Sequence, residues 1–555
     1  MFRLRVLRPG LSIVRRITTS SASSSTKTGI NKWSRRLLYT TAIVLTFEVY
    51  DYNANASAFT RNIRAIYEMS AIALDYKLHF DDKHDIEALH ARVADRVFEL
   101  IRKNGGLYVK IGQAIAMQTQ VLPPVFQEKF AQLFDMAPQD PWDVVEKLFV
   151  REFGRAPDDV FEWIDHKAVA SASIAQVHRA RLKSTGEDVA VKIQHADIEK
   201  QVYWDLAAYR FMMGVYDWYF DIPVYFTAQY ITQRMQTEVV FENEAMNARN
   251  MQEKLQAERS LAGKVYIPKI YDEYTSKRVL VLEWIDGVSM NDRAEIERRG
   301  YSKRWIMDTM VNLFAAQFFA WGIVHCDPHP GNLIVRRRPG REKELQLVLI
   351  DHGLYIYEPP KFRAEYCTLW RYMFTFNDTG IRNIALQWGI GQPDIFASMT
   401  MLRPYRSKAS DTENEKAHSD FDQQQKMKER FRTFIKDTTK MPLELIFLGR
   451  SIRIVQGCNQ LFGSPVNRIK IFANWASRSL ATEPGLSLSA RVREWSRHLV
   501  FRFVVGVSDV TFLLARMQQV IFGRKAGFED VLEQQMRNIA KSRLGIEIKE
   551  GVFEG

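Results

Sequence analysis

A single run of eight residues limits the folds open to this chain more than any other segment does. It reads His325-Cys326-Asp327-Pro328-His329-Pro330-Gly331-Asn332, and Asp351-His352-Gly353 begins nineteen residues after its end. The apolar segment Trp305 to Trp321 predicts a buried helix before the run. Apolar segments at residues 333–335 and 345–350 predict two strands after it, joined through a Pro-Gly turn. Because two paired strands return the chain to where it started, we expect Asp351 to lie beside the run.

This layout is typical of a kinase catalytic loop that leads into a metal-binding Asp-x-Gly. Phosphoryl transfer needs a carboxylate, here Asp327, to accept or orient the proton of the attacking hydroxyl. It also needs Mg²⁺ against the phosphates. The amide oxygen of Asn332 and the carboxylate of Asp351 would supply the hard oxygen ligands that this ion prefers. Gly353 would let the chain turn away directly afterwards.

Two other interpretations of the run compete with this one. The His-Cys-Asp-x-His cluster contains residue types that bind zinc. However, Pro328 and Pro330 hold the loop in an extended turn, and a zinc site would leave the Asp-x-Gly at residues 351–353 unexplained. An aspartate-rich surface turn is the other alternative, and the further motifs of the chain argue against it.

Length and charge exclude several classes of protein. At 555 residues and 46% apolar content, the chain can form three or four average domains or one large bilobal unit with extensions. Its three widely spaced cysteines predict neither a disulfide framework nor a paired-cysteine metal site. Much of the net charge of +12 lies in residues 1–47, which hold nine Lys or Arg and no acid. Removing these nine of the 77 basic residues leaves 68 against 65 acidic residues, so nucleic-acid binding is not predicted.

The N-terminal residues predict a targeting sequence followed by a short apolar segment. Residues 1–26 are rich in Arg, Ser and Thr and lack acids, which is typical of a mitochondrial transit peptide. Residues 27–58 are interpreted as a linker that contains the uncharged stretch Leu37 to Phe47. Eleven helical residues cover about 16 Å, roughly half of a bilayer core. This stretch is therefore either a membrane span or interfacial anchor, or a plain packing helix.

Three amphipathic helices are predicted next, over residues 59–80, 85–103 and 107–118. The third contains Lys110-Ile111-Gly112-Gln113, in which Lys110 and Gln113 share one face. A glycine inside a helix costs about 1 kcal/mol relative to alanine. Gly112 therefore suggests close approach by another element, although a tolerated surface glycine fits as well.

A β-hairpin that carries a lysine is predicted after these helices. Residues 168–178 run into one strand, and Val189-Ala190-Val191-Lys192-Ile193 forms the next. A kinase N-lobe has such a lysine, which contacts the α- and β-phosphates of ATP. The preceding turn, Ala170-Ser171-Ala172-Ser173, has alanine and serine where a kinase has glycines. Their side chains would hinder the turn from closing over phosphates.

A long helix predicted from Gln233 to Gln256 supplies acidic candidates. Active kinases pair the nucleotide-binding lysine with a glutamate, and Glu244 is the first choice of partner for Lys192. Glu242 is the alternative, because spacing alone does not decide between them.

The segment Arg278 to Gly287 is predicted to be a buried strand that ends in a hinge. Backbone groups of Glu283 and Ile285 would hydrogen-bond an adenine there. Together with the lysine hairpin and the 325–332 run, this segment predicts a site for ATP or ADP with Mg²⁺.

The residues after the catalytic region predict an insertion and further helices. Residues 401–430 include a polar, charged stretch with few large apolar side chains, which is typical of a disordered insertion. Helical segments resume at residues 443–462. The strongly apolar segment Leu499 to Val520 predicts an amphipathic helix, either packed on the fold or lying on a membrane.

With these motifs in this order, the chain resembles the UbiB (aarF-domain) family of atypical kinases. The motifs that carry the resemblance are Lys110-x-Gly112-Gln113, the alanine-rich turn, Lys192, the 325–332 run and Asp351-His352-Gly353. It covers about residues 60–400. The Phe59 to Asp81 segment and the N-terminal targeting sequence are similar to the mitochondrial branch of the family, which includes the first human aarF-domain kinase and fungal relatives.

The resemblance implies an α+β, bilobal protein-kinase-like fold with an N-terminal helical extension laid across the active site. It implies Mg-dependent ATP binding and hydrolysis, little or no protein phosphorylation, and a role in ubiquinone or mitochondrial lipid homeostasis. Lys110 and Gln113 would then reach into the site where a peptide substrate docks.

The chain departs from the family and from ordinary kinases at two points. The family usually pairs the Lys-x-Gly-Gln helix with Glu-x-Asp, whereas Glu238-Val239-Val240 keeps only the glutamate. A Lys110–Glu238 contact is therefore expected, and the rest of that inhibitory network is not. Cys326 stands where a kinase has arginine, so activation through a phosphorylated loop is not expected.

Seven segments are predicted from these features: transit peptide 1–26, linker 27–58 with an apolar anchor at 37–47, helical extension 59–150, N-lobe 151–287, C-lobe core 288–400, disordered insertion 401–430 and C-terminal helical region 431–555. Two functions are open. One is a mitochondrial atypical kinase or ATPase at the inner membrane, acting on its lipids or on a ubiquinone-related small molecule. The other is a nucleotide-binding pseudokinase that serves as a regulatory scaffold there, with membrane proteins as partners.

Overall fold

The fold is that of a computed structural model, which describes residues 31–81, 83–116, 124–130, 132, 139–220, 225–402, 437, 440–483, 485–522 and 528–539. The predicted transit peptide lies outside these residues, as does all but the start of the predicted insertion at 401–430.

Helices dominate the described chain. In order, they are α1 (Lys32–Asn55), α2 (Ala58–His79), α3 (Ile86–Asn104), α4 (Gly106–Ala116), α5 (Pro124–Phe130), α6 (Trp142–Phe153), α7 (Pro157–Val160), α8 (Ile198–Phe220), α9 (Tyr225–Glu238), α10 (Phe241–Ala257), α11 (Arg293–Arg298), α12 (Lys303–Ala315), α13 (Pro360–Thr375), α14 (Asp378–Gln387), α15 (Pro393–Met401), α16 (Glu444–Leu461), α17 (Arg468–Ala481), α18 (Leu488–Phe522) and α19 (Phe528–Ile539).

The strands are β1 (Phe161–Ile164), β2 (Ala170–Ser171), β3 (Ala175–Leu182), β4 (Asp188–Gln194), β5 (Val265–Tyr266), β6 (Val279–Glu283), β7 (Val288–Ser289), β8 (Ile323–His325), β9 (Leu333–Arg338), β10 (Arg341–Leu349) and β11 (Tyr355–Tyr357). They form one sheet in the order β1-β3-β4-β6 with β2 beside β3, a second in the order β5-β10-β9-β7, and the pair β8-β11.

The first sheet forms the N-lobe, and its strands alternate as half-buried strands do. On β4, Val189, Val191 and Ile193 enter the core, whereas Lys192 lies on the other face. Helix α6 packs into this same core through Val145, Leu148 and Phe149. The structure therefore places α6 with the N-lobe, although the sequence prediction began that lobe at residue 151.

The C-lobe is built around α12, α13, α16 and α17, with the second sheet against them. Aromatic side chains fill its centre, where the Phe319 ring lies 5.4 Å from that of Trp370 and 5.8 Å from that of Phe472. The predicted helix Trp305 to Trp321 is present, but its last turn, Ala316–Trp321, is a π-helix. This widened turn directly precedes β8 and the 325–332 run.

The N-terminal extension packs α2 and α3 on each other and α2 on α8. Buried Arg61 donates to Asp205 at 2.7 Å and ties α2 to α8. The segment predicted as a linker is mostly helix α1, and its residues from 32 to 50, including the apolar stretch 37–47, are exposed. None of the helices in the described ranges is both long and apolar enough to cross a membrane.

The prediction of a single helix from Gln233 to Gln256 is wrong. The chain breaks at Val239 and Val240, between α9 and α10. The Phe241 N–H donates to the Lys277 carbonyl at 2.9 Å, and the Gln194 side chain donates to the Val239 carbonyl at 2.8 Å. These two tertiary hydrogen bonds take the place of bonds within a helix. A periodic apolar pattern in the sequence does not reveal such a replacement.

Candidate active site

The two strand pairs bring the predicted catalytic groups together. Strand β8 pairs with β11 and β9 pairs with β10, so the 325–332 run and the Asp351 motif lie side by side. The Ile350 N–H donates to the Asn332 carbonyl at 3.0 Å, and the Cys326 N–H donates to the Leu354 carbonyl at 2.9 Å. The expectation that Asp351 lies beside the run is confirmed.

His325 links the two parts of the catalytic site through hydrogen bonds to backbone groups. Its Nδ1 accepts from the Asp327 N–H at 3.0 Å, and its Nε2 lies 2.9 Å from the Asp351 carbonyl. Nδ1 is thus an acceptor, which leaves Nε2 to carry the proton and donate. Burial lowers the pKa of His325, which favours this neutral form. Since both ring nitrogens serve the backbone, His325 has none left for zinc.

Asn332 and Asp351 present oxygens that fit a magnesium ion. The Asn332 amide nitrogen donates to the Asp327 carbonyl at 3.1 Å, which fixes its nitrogen side and directs its oxygen elsewhere. Burial alone would raise the pKa of Asp351, but Lys192, the Gly353 N–H and Lys110 outweigh it and hold the pKa well below the usual range. A carboxylate whose charged form its neighbours favour, together with an amide oxygen, is a donor set suited to Mg²⁺.

Gly353 lies close to the side chains of Asp351 and Glu238. Its N–H donates to Asp351 Oδ1 at 2.8 Å, and a Cβ at this position would lie 3.2 Å from the same oxygen and 3.6 Å from Glu238 Cγ. The predicted reason, a free turn of the backbone, is therefore replaced by crowding, since Gly353 has no positive φ.

Lys192 is held by the buried carboxylate of Glu244 and lies close to the half-exposed carboxylate of Asp351. Its Nζ lies 2.8 Å and 2.9 Å from the two carboxylate oxygens of Glu244, and 3.6 Å from Asp351 Oδ2. Burial alone would lower the pKa of Lys192, but Asp351 and Glu244 outweigh it and raise the pKa. Glu242, the alternative partner, is exposed on the opposite side of α10. The Lys192–Glu244 pair is therefore present as expected.

Helix α4 reaches into the site through Lys110. This lysine forms an ion pair with Glu238, the last residue of α9, whose side chain is nearly buried. Burial would lower the pKa of Lys110, but Glu238, Asp327 and Asp351 together raise it. Gly112 is buried on the same helix. The side chain of Gln113, predicted to act with Lys110, lies outside the described residues.

The alanine-rich turn is closed on itself. Ala170 and Ser171 form β2, and the Ala172 N–H donates to the Ala175 carbonyl at 2.8 Å. His195 Nε2 lies 3.0 Å from the Ala172 carbonyl. In this conformation the Ala172 N–H is therefore bonded within the turn itself. The assignment of Ala170, Ser171, Ala172 and Ser173 to nucleotide binding stays a prediction.

The predicted hinge follows β6. The Glu283 N–H donates to the Lys269 carbonyl at 2.8 Å, and the Glu283 carboxylate accepts from Tyr266 Oη at 2.6 Å. The N–H and the carboxylate of Glu283 are therefore both bonded within the fold. An adenine contact through the Glu283 carbonyl stays a prediction. Ile285 is buried beside it, and its adenine role stays a prediction.

Arg450 was missed by the sequence analysis. It lies on α16, and its Nη2 donates to Asp327 Oδ1 at 3.1 Å. Ser451, the next residue of that helix, donates to the His325 carbonyl at 3.3 Å. Helix α16 thus contacts the catalytic loop directly. An arginine in an amphipathic helix 123 residues away gives no local signal for this contact.

These groups occupy the positions that define a protein-kinase-like site. They are the Lys192–Glu244 pair, Asp327 and Asn332 of the loop, and Asp351 of the Asp-x-Gly motif. Residues 132–385 match the ABC1 atypical kinase-like domain. The chain is 43% identical to an ABC1 family protein of Schizosaccharomyces pombe over 82% of its length and 85% of the relative.

Two further relatives extend the comparison. The ABC1 family protein lscO of Purpureocillium lilacinum is 37% identical over 88% of this chain and 86% of that protein. AarF domain-containing kinase 1 of Drosophila melanogaster is 32% identical over 64% of this chain and 70% of that protein. The chain therefore belongs to the ABC1, or AarF-domain, family of atypical kinases, and its bilobal α+β protein-kinase-like fold agrees with the prediction.

Proposed function

We propose that this protein binds ATP with Mg²⁺ and hydrolyses or transfers its γ-phosphoryl group. The observation that carries the proposal is the Lys192 ammonium, which bridges Glu244 at 2.8 Å and Asp351 at 3.6 Å. This arrangement places one cation for the nucleotide phosphates next to one carboxylate for the metal. The Lys192–Glu244 pair is largely buried, with side chains 16% and 3% exposed. Burying an ion pair is costly for folding alone, which supports a functional role.

The chain's own groups divide the work of the reaction. Lys192 would bind the α- and β-phosphates, and Asn332 and Asp351 would hold Mg²⁺, which neutralises charge on the phosphate oxygens when it is bound. Asp327 would accept the proton of the attacking water or hydroxyl as its oxygen bonds to the γ-phosphorus. The bond from that phosphorus to the ADP oxygen breaks at the same time, and ADP leaves.

The acceptor is proposed to be small. Helix α4 stands over the acceptor side of the site through the ion pair of Lys110 with Glu238, which would exclude an extended peptide. We extend the proposal to a mitochondrial protein at the inner membrane, acting on a membrane lipid or a ubiquinone-related molecule. The family membership and the basic, Ser- and Thr-rich N-terminal residues support this part.

A second candidate function is a nucleotide-binding pseudokinase that serves as a regulatory scaffold. The Ala172 N–H bonded at 2.8 Å inside its own turn favours this alternative, because that turn then offers fewer donors to a phosphate. The two candidates differ in turnover.

Phosphate release separates them. The protein would be incubated with Mg·ATP, with and without liposomes of mitochondrial composition and a phenol that mimics a quinone head group. We expect release that rises with lipid or phenol in the wild type and disappears in Asp327→Asn. Nucleotide binding without any release under these conditions would contradict the enzymatic proposal and support the scaffold.

A further inference from the structure

Helix α18 carries a continuous apolar stripe that the described part of the fold leaves exposed. Leu488, Val492, Trp495, Leu499 and Phe503 follow one another at steps of four, three, four and four residues. At 3.6 residues per turn these steps place them on one face of the helix. Their exposed fractions are 78%, 58%, 39%, 61% and 79%. We call these five residues the α18 stripe.

The helix is anchored to the C-lobe by a different face. Phe501 and Val505 are buried, and the Phe501 ring lies 5.8 Å from that of Phe374 on α13. His498 Nδ1 lies 3.0 Å from the Ser477 hydroxyl of α17. The stripe is therefore presented by a helix that is already fixed in place, and leaving it exposed is not a consequence of fraying.

Two arginines border the stripe along one edge. Turning by about 100° per residue puts Arg491 and Arg502 along this edge, whereas Arg493 and Arg497 lie farther round the helix, toward the face opposite the stripe. Within the described residues, no ion pair involves Arg491, Arg493 or Arg502. The lone acid of residues 488–503, Glu494, turns away to Arg371 at 2.5 Å and to Arg497 at 2.6 Å. The exposed surface is thus apolar along the stripe and cationic along one edge.

We propose that the α18 stripe docks on the surface of a membrane that contains anionic lipids. An exposed helix face of large apolar side chains edged by arginine is suited to the boundary between acyl chains and anionic headgroups. Trp495 lies within the stripe, and tryptophan favours that boundary. Against a second copy of the chain, the same face would bring like charges together, which disfavours self-association.

This inference deepens the membrane part of the proposed function and does not depend on ATP turnover. It also assigns the contact to α18. Helix α1 is apolar and exposed as well, so vesicle binding of the whole protein does not by itself identify the docking face.

A fluorophore placed on α18 identifies it. The three native cysteines are buried, so a single introduced cysteine can be labelled selectively. Ser496→Cys puts an environment-sensitive label beside the stripe without removing any of its members, and Thr185→Cys, on an exposed N-lobe turn, is the matched control. The full-length chain would be mixed with phosphatidylcholine vesicles and with vesicles that also contain phosphatidylglycerol. We expect a blue shift at position 496 with the anionic vesicles alone, and none at position 185.

Sedimentation with the same vesicles tests the two components of the surface. Leu499→Ser with Phe503→Ser is expected to lower partitioning to anionic vesicles by about tenfold. Arg491→Gln with Arg502→Gln is expected to lower it as well. Arg298→Gln with Arg341→Gln, which removes two exposed arginines elsewhere, should leave it unchanged.

Three results would overturn the inference, and they are distinguishable. A protein that sediments while the label at 496 stays in water docks through another face, which leaves the membrane role standing. Absence of sedimentation removes the inference together with that role but not ATP turnover. A label that is shielded without vesicles, in proportion to protein concentration, identifies a second copy as the occupant.

Discussion

Arg450 on α16 donates to Asp327 Oδ1 at 3.1 Å, so the C-terminal helical region contacts the carboxylate proposed to handle the proton. The arginine side chain is 19% exposed and the aspartate side chain 31% exposed. At this distance the guanidinium restrains the rotation of the carboxylate and balances its charge. The region after residue 440 therefore contributes to the site as well as to packing.

Arg450→Leu is expected to lower phosphate release by about tenfold and leave ATP affinity unchanged, because it frees Asp327 without touching the nucleotide groups. Arg450→Lys should recover part of the loss. Arg478→Leu, on α17 and bonded to Glu258 instead, is the control and should behave as the wild type. A faster rate in Arg450→Leu would show that the arginine inhibits Asp327.

Glu244→Gln is expected to lower phosphate release by about a hundredfold, since a displaced Lys192 misplaces the phosphates. Glu242→Gln, two residues away and exposed, is the matched control and should have no effect. Steady-state rates of both variants check this. Equal losses in the two variants would show that α10 acts through its overall charge rather than through the Lys192 pair.

The buried pair of Arg61 and Asp205 predicts a stability effect far from the site. Asp205 is fully buried, and burial raises its pKa to about 6 even beside the guanidinium. Arg61→Met should lower the free energy of unfolding by about 3 kcal/mol, because it leaves that carboxylate with the Asn62 amide but without its charged partner. Adding Asp205→Leu should restore most of this. Denaturant unfolding of both variants measures it, and a double variant no more stable than the single one contradicts it.

His195 predicts a pH dependence of the alanine-rich turn. Burial alone would lower its pKa, but Asp140, the Ala172 carbonyl and Asp197 outweigh it and raise the pKa. A raised pKa in the folded state means that its stabilising contribution is complete below the unfolded value of about 6.5 and is lost as the pH rises through the folded value.

An NMR titration of the His195 ring should therefore give a midpoint above about 6.5, and Asp140→Asn should lower it. The backbone amide signals of residues 170–175 should shift over the same pH range. A midpoint below the ordinary histidine value in the wild type would contradict the assignment.

Sequence reasoning located the groups that are close along the chain. Asp327, Asn332 and Asp351 lie within 25 residues, and apolar strands between them reveal the pairing that joins them. It failed where tertiary bonds override a local pattern, as at Val239 and Val240. Because the helix breaks there, Glu238 and Glu244 lie on separate helices and bind different lysines.

Two other features of the site could not be predicted from the sequence, for physical reasons. Glu242 and Glu244 are equivalent in spacing, and only the way α10 packs makes one exposed and the other buried. Arg450 acts across 123 residues, and a helical arginine is usually solvated, so its sequence context looks ordinary. The closed Ala172 turn likewise involves a distant residue, His195, which directly follows β4.

The measurement that tests the proposed site most directly is ATP binding by calorimetry, with Mg²⁺ and with EDTA, in the wild type and in Asp351→Asn. If Asn332 and Asp351 hold the metal above Lys192, Mg²⁺ should strengthen wild-type binding by about tenfold or more, and the variant should lose that gain. Equal affinity with and without Mg²⁺ in the wild type, or an undiminished gain in the variant, would contradict the account.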